Sequence, residues 1–428
     1  MKIEILSIGD EILLGGVKDT NFSWLAAKLL DNGITITRQT CIGDNLKNII
    51  SFIQKTSKRA DIVIVTGGLG PTSDDITSKA VALATKDKLV LNKKALLSIE
   101  NYFKQKGLDM PETNKKQAEF PLKALIIENS YGTAPGFYLK IRKPYFFFMP
   151  GVPFEMKKMF KADVLPIIKK KINQKTQIFL KKFTVFGLAE AEINSRLKDF
   201  SKNFPKIKLG FRANFPLIEV KFSYDYNNKY TDAAQSTNNV VKQAGNWIAS
   251  KLGNKIISFQ GLSMEQEVIR LLIKNNLKIA VAESCTGGLI SHMLTNVSGS
   301  SECFIFSGIT YFNDAKINIL NVNKNTIIKY GAVHGETAKE MAEGVKNITK
   351  ADYGISTSGI AGPKGGTDEK PVGTVCIGIA GYSISMKKNF SWGKKYNFPF
   401  KERFMNKKIF AVTALELLRR EILKRKIC

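Results

Sequence analysis

Short apolar runs alternate with stretches of helical period along the first part of the chain. Ile3–Ile8 and the run 61–66 (Asp-Ile-Val-Ile-Val-Thr) are nearly unbroken apolar segments, the pattern of strands buried on both faces. Segments 21–30 and 46–57 carry apolar residues at helical spacing, and 34–39 reads as another strand. The phenylalanine-rich run 145–148 and a helix over 154–171 close the pattern. This alternation predicts a parallel sheet flanked by helices. From about Phe183 the character changes. Strands at 182–186, 207–211 and 217–223, with helices at 189–198 and Asp232–Leu252, predict a small, lysine-rich α+β unit. A third segment opens near Ser263, a suitable N-cap for a helix over 264–275 with Glu267 near its first turn. Strand 278–282 then runs into Glu283-Ser-Cys-Thr-Gly-Gly288, and a helix over 289–295 follows.

At 428 residues the chain is too long for one small core. The pattern divides it into three α/β-type domains at 1–170, 171–257 and 258–428. Apolar residues make up 44% of it, an ordinary share for a globular protein. No apolar run approaches the roughly 20 residues that span a bilayer. The start lacks a signal peptide's long apolar region and carries Glu4, so a cytoplasmic protein with no membrane partner is expected. Five cysteines (Cys41, Cys285, Cys303, Cys376 and Cys428) stand singly, which argues against a disulfide framework. Two histidines, His292 and His334, cannot make a histidine-rich metal site. Any metal is therefore expected to be a hard cation held by carboxylates and phosphate. The net charge of +28 invites a nucleic-acid partner. Against that reading, the lysines are spread along the whole sequence, which fits general composition and attraction to phosphorylated small molecules.

Three loops follow predicted strand ends: Gly9-Asp-Glu-Ile-Leu-Leu-Gly15, Gly67-Gly-Leu-Gly-Pro-Thr-Ser-Asp-Asp75 and Pro150-Gly-Val-Pro-Phe-Glu155. In an open parallel sheet such loops gather around one crevice. Gly67, Gly68 and Gly70 permit close approach of backbone to phosphate, and Asp74 and Asp75 can hold a bridging divalent cation. Ordinary glycine turns are the alternative.

The C-terminal segment sets several serines, one tyrosine and one lysine between glycine turns: Ser284, Ser298-Gly-Ser-Ser301, Tyr311 and Lys316, then Ser358-Gly-Ile-Ala-Gly-Pro363. These are the parts of a hydrolase that activates a serine with a lysine, provided the lysine pKa is depressed. The strand–glycine turn–helix at 278–295 aims backbone N–H groups at a point where an anion or oxyanion can rest. The alternatives are plain: Ser301 as a turn or cap residue, Lys316 as a phosphate partner, Tyr311 as core.

These motifs resemble, in order and over most of the chain, those of CinA-like proteins. In the N-terminal part the match takes in Gly9–Gly15 with Asp19-Thr-Asn21, Gly43-Asp-Asn45, Gly67–Asp75, Gly132-Thr-Ala-Pro-Gly136 and 150–156, and looks like the MoaB/MogA molybdopterin-binding fold. The C-terminal part resembles the family's nicotinamide-nucleotide amidohydrolase module, and the middle its KH-type domain. The resemblance implies hydrolysis of nicotinamide mononucleotide (NMN) to nicotinate mononucleotide and ammonia without a metal. It points to Ser301 as nucleophile, with Ser284 the competitor; Cys285, beside a candidate serine, is a lesser alternative from its position alone. Lys316 is then the base, and Tyr311 relays a proton or orients it. Thr286, Gly287, Gly288, Ser358, Gly362 and Arg403 would bind substrate. For the N-terminal part it implies adenine nucleotide or ADP-ribose binding through Gly67, Gly68, Gly70, Thr133, Pro150 and Gly151. Magnesium would lie on Asp74, Asp75 and Glu155, with possible pyrophosphatase activity in that domain. It further implies a homodimer; the rival is a non-enzymatic nucleotide- or molybdopterin-binding protein tied to competence and DNA damage. The chain departs from the family at Lys401-Glu402 before Arg403, at Lys407 where an arginine is common, and at His334 in place of serine.

Overall fold

The computed structural model describes residues 2–171, 176–227, 232–383 and 387–424; Cys428 lies outside them. The chain divides into two compact units, one of residues 1–179 with 225–237 and one of 180–224 with 238–428.

In the first unit, β1 (Ile3–Ile8) is buried along its whole length. β2 (Arg38–Ile42) and β3 (Ile62–Thr66) pair with it in parallel. β4 (Leu89–Leu91) and β5 (Glu119–Pro121) form a small antiparallel ribbon. β6 (Leu125–Ile127), β7 (Gly136–Lys140) and β8 (Tyr145–Met149) complete a six-stranded sheet of order β2-β1-β3-β8-β7-β6. Its first four strands are parallel, β7 runs antiparallel to them, and β6 is antiparallel to β7. Alternate residues go to opposite faces: Val63, Val65, Phe146 and Phe148 enter one core, while Ile62, Ile64 and Phe147 enter the other. That two-sided burial is why these strands read as unbroken apolar runs.

Two expected elements are corrected. The strand expected at 34–39 is found at Arg38–Ile42, because pairing begins only where Arg38 meets Glu4. Ile34 before it is buried in the connection instead. The helix expected over 154–171 is interrupted: Pro153–Met159 and Leu165–Lys171 are joined by a π turn at Phe160–Val164. Pro166 has no N–H to continue the α ladder, and the widened turn accommodates it.

The second unit contains two sheets. β9 (Thr176–Phe186), β10 (Ile207–Asn214), β11 (Leu217–Asn227) and β12 (Ile256–Ser258) lie in the order β10-β11-β9-β12. β13 (Ile279–Glu283), β14 (Phe304–Ile309), β15 (Tyr353–Gly359), β16 (Thr374–Ser383) and β17 (Lys388–Asn397) lie in the order β14-β13-β15-β16-β17. The first three of these are parallel, so their carboxyl ends share one edge of the sheet. Helices Met264–Lys274 and Arg403–Lys424 pack into the core on one face through Val268, Leu272, Phe410 and Leu415. Helix Gly335–Thr349 covers the other through Met341 and Val345. Ser263 caps its helix as expected, but its reciprocal partner is Gln266, while Glu267 pairs with Arg270. No helix among the described residues is long and apolar enough to cross a membrane.

Candidate active site

The carboxyl ends of β1, β3 and β8 surround a cleft of about 430 Å³. Gly67, Gly68, Gly70, Asp74, Asp75, Thr133, Pro150, Gly151 and Glu155 all line it, so one cleft gathers the expected N-terminal residues. Gly67 and Gly68 have φ of 105° and 68°, and a Cβ on Gly67 would lie 2.1 Å from the Ile8 carbonyl oxygen. Only glycine fits there. The expected metal carboxylates do not converge. Asp75 accepts from the Thr72 amide at 2.9 Å and its hydroxyl at 2.6 Å, which ties down the glycine loop. Glu155 accepts from Asn129 Nδ2 at 2.7 Å, and burial raises its pKa. Among the described residues no three acidic, thiol or imidazole side chains form a ligand set.

The cleft is nonetheless acidic. Glu11, Asp19, Asp44, Asp74, Asp75 and Glu155 face a single lysine, Lys18. Burial, then the neighbouring carboxylates Asp10, Glu11 and Asp74, push the Asp44 pKa up against an opposing backbone hydrogen bond. Glu11, Asp19 and Asp44 lie inside the quoted motifs, so sequence could have nominated them. Asn21 donates to the Gly151 carbonyl at 2.6 Å, and its buried Oδ1 has no partner.

In the second unit the loop after β13 turns through Gly287 (φ 55°) and Gly288 (φ 87°). Gly287 donates its amide to the Ser284 carbonyl at 3.1 Å. The N-terminal amides of helix Leu289–Thr295 are also taken: buried Glu283 accepts from Ile290 at 3.2 Å and Ser291 at 2.9 Å. The helix end expected to receive an anion is therefore capped by the protein's own carboxylate, which sequence reasoning missed. Of the 286–288 amides expected to bind an oxyanion, that of Gly287 is thus already engaged within the loop.

Lys316 is only 1% exposed. Its Nζ donates to the carbonyls of Thr310 at 2.8 Å and Tyr311 at 3.0 Å, just past the carboxyl end of β14. Desolvation lowers its pKa to about 8, with a small opposing influence from Cys285. The Cys285 thiol is itself pushed up to about 12 by burial, which makes it a poor nucleophile. Around the lysine, Thr286 and Thr357 share a hydrogen bond of 2.7 Å, and Ser284 is buried in the same loop. Arg403 donates to the Gly362 carbonyl at 2.9 Å and to the Tyr311 hydroxyl at 3.1 Å. Lys407 Nζ lies 3.3 Å from where a Gly287 Cβ would be. Asn406, buried beside them, donates to the Ala361 and Phe400 carbonyls and leaves its Oδ1 unpartnered. Ser358 instead turns its hydroxyl to the Ala332 carbonyl at 2.7 Å.

Ser301 is elsewhere. It stands in the turn Ser300–Glu302 that precedes β14, exposed, at the end where β13 and β14 begin. Lys316 and Tyr311 lie past the opposite end. The five steps of β14 alone span about 16 Å at the usual strand rise. The expectation of a Ser301–Lys316 pair within one chain is corrected by that strand. Ser284, not Ser301, shares the Lys316 end.

Residues 262–422 match the family model described as "CinA C-terminal domain", and residues 4–170 match "Probable molybdopterin binding domain". A "CinA-like protein" of Desulforapulum autotrophicum is 51% identical, with 99% of each chain covered. Another, from Desulfosudis oleivorans, is 44% identical over 99% of this chain and all of that one. Among solved structures, the competence/damage inducible protein of Agrobacterium tumefaciens is 33% identical, covers 38% of this chain and 97% of its own, and superposes with a TM-score of 0.34.

Proposed function

The chain belongs to the CinA-like family, and from that premise we propose that its C-terminal module hydrolyses the carboxamide of nicotinamide mononucleotide, giving nicotinate mononucleotide and ammonia. The observation that carries this reading is Lys316: a buried lysine held on two backbone carbonyls past the carboxyl end of β14, without a carboxylate partner among the described residues, its pKa lowered to about 8. A lysine so placed is deprotonated often enough near neutral pH to act as a base. Lys316 Nζ takes the proton of a serine hydroxyl as its Oγ bonds to the carboxamide carbon. The π electrons move to the carbonyl oxygen, which meets the Thr286 and Gly288 amides. As the C–N bond breaks, Lys316 returns the proton to departing ammonia. Water, deprotonated by the same amine, then adds to the ester; the serine oxygen leaves and takes that proton back from Lys316, releasing nicotinate mononucleotide. No step needs a metal. Ser284, which shares the Lys316 end of the sheet, is the nucleophile in this reading, since β14 holds Ser301 away from the base. Arg403 and Lys407 supply the positive charge that a ribose phosphate requires. Purified protein is expected to release ammonia from the mononucleotide, and Lys316→Ala to lower turnover at least 100-fold. Retention of near wild-type turnover by Lys316→Ala rejects the mechanism.

A second reading concerns the N-terminal unit, for which we infer binding of an adenine nucleotide such as ADP-ribose together with magnesium. Its cleft is lined by acids on a chain whose net charge is +28, so a bare diphosphate is repelled there. Magnesium is commonly held by one or two carboxylates with substrate phosphate oxygens completing its shell, which suits a cleft with no three-carboxylate set. Asp74 and the other lining carboxylates would hold the cation, and its charge would let the diphosphate approach the Gly67–Gly70 backbone. Calorimetry should show ADP-ribose binding only with magnesium, weakened by Asp74→Ala. Tighter binding of a pterin in competition favours a molybdopterin role instead.

A further inference from the structure

The acidic cleft of the first unit has an aromatic rim on one side. Tyr131 and Phe154 meet edge to face, with ring centroids 5.5 Å apart, and are 48% and 58% exposed. Lys158, one helical turn after Phe154, holds its Nζ 5.2 Å and 5.5 Å from the two ring centroids. Both rings sit beside residues that line the cleft: Phe154 between Pro153 and Glu155, Tyr131 two positions before Thr133. The two segments touch at the cleft wall, where a Cβ on Gly132 would run into the Glu155 carboxyl group. Buried Asn129 ties ring and wall together. Its Oδ1 accepts from the Tyr131 amide at 3.0 Å, and its Nδ2 donates to the Ala134 carbonyl at 2.9 Å and to Glu155 at 2.7 Å. A large, half-exposed ring is thus anchored by the same residue that sets a cleft carboxylate.

We propose that Tyr131 and Phe154 form a stacking platform for the base of the nucleotide whose diphosphate the cleft receives. This rests on the nucleotide reading of the first unit. The rings are ordered before a ligand arrives, by Asn129 behind one and Lys158 beside both, so little conformational freedom is lost on stacking. The rim is also close to the glycine backbone. Gly151 packs against Gly67, a Cβ there lying 3.6 Å from the Gly67 Cα, and Phe154 follows three residues on. Diphosphate and base would then be held by neighbouring stretches of one loop. A protein partner fits less well. Among the described residues of 129–135 and 150–159, Val152 is the one other large apolar side chain that is exposed. Three such side chains match a single ring system rather than a protein interface. Ring-on-ring contact reads the area of a base rather than its edge groups. The platform therefore selects purines over pyrimidines and treats adenine and guanine alike.

Calorimetry on the full-length chain with magnesium tests this, with ADP, GDP, UDP and inorganic pyrophosphate as probes. ADP and GDP are expected to bind alike and UDP more weakly. Phe154→Ala and Tyr131→Ala should each weaken ADP binding about 10-fold and leave pyrophosphate binding unchanged. Phe154→Leu, which keeps an apolar side chain but no ring, should lose as much as alanine, while Tyr131→Phe keeps wild-type affinity. In a Tyr131→Trp protein, ADP but not pyrophosphate should change the emission of the introduced indole, read against the wild type. UDP bound as tightly as ADP, or ADP affinity untouched in both alanine variants, overturns the platform and leaves the nucleotide reading standing. Equal loss of ADP and pyrophosphate binding in variants that melt like the wild type overturns it too, since the rings would then only brace the cleft wall. If the wild type binds neither ADP nor ADP-ribose with magnesium, the nucleotide reading fails and the platform with it.

Discussion

Lys316 is the residue at which stability and chemistry oppose each other. In the folded chain its pKa lies near 8, against 10.5 for a free lysine side chain. Below pH 8 the folded state carries a buried ammonium with only two carbonyl partners, and the penalty is fully present. Between about 8 and 10.5 the unfolded chain binds the extra proton, so stability should rise with pH across that window. Urea denaturation at pH 8 and pH 10 should show that rise in wild type and its loss in Lys316→Met. The same Met variant should be no less stable than wild type at pH 7 yet inactive. In catalysis the sign is also fixed: kcat/KM should climb as Lys316 loses its proton and level off above pH 8. Arg403 offers a second test. It joins Gly362 to Tyr311 through two different nitrogens, a geometry that lysine cannot copy. Arg403→Lys should raise KM on the order of 10-fold, since a hydrogen bond to a charged group is worth about 1.5–3 kcal/mol. Residue type and spacing singled out Lys316, and the structure buries it on two backbone carbonyls. The capping of a helix by Glu283 was not, because it depends on a carboxylate folding back across a glycine turn.

At the scale of elements, the strands that sequence predicts best are those buried on both faces, β1 and β3, where every side chain is constrained to be apolar. Prediction weakened where one residue changed the hydrogen-bond ladder, as Pro166 does in the helix after β8. It failed most instructively at β14. Ser301 and Lys316 are only fifteen positions apart in sequence, which suggests closeness, but a strand between two positions keeps its ends apart. The glycine loop after β3 is the element most exposed to single changes. Gly67→Ala would set a Cβ against the Ile8 carbonyl in a backbone conformation disfavoured for alanine. It should destabilise the first unit by about 2 kcal/mol. A melt that resolves the two units should show only the first unit's transition shifting, with ammonia release unchanged. A shift of both would mean that the units unfold together.

For the whole molecule, the positive charge is broad but not uniform, since the cleft of the first unit is lined by acids. Binding to duplex DNA should accordingly be nonspecific, no tighter than about 10 µM at physiological salt, and steeply salt-dependent. Fluorescence anisotropy over a salt series measures this, and sub-micromolar affinity insensitive to salt would favour the rival nucleic-acid role. The two units also differ in charge at their candidate sites: an acid-lined cleft in the first and a buried amine in the second. The acidic cleft carries a last consequence: lined by Glu11, Asp19, Asp44, Asp74, Asp75 and Glu155 on so basic a chain, it acts as a filter that turns away any anion arriving without a counter-cation.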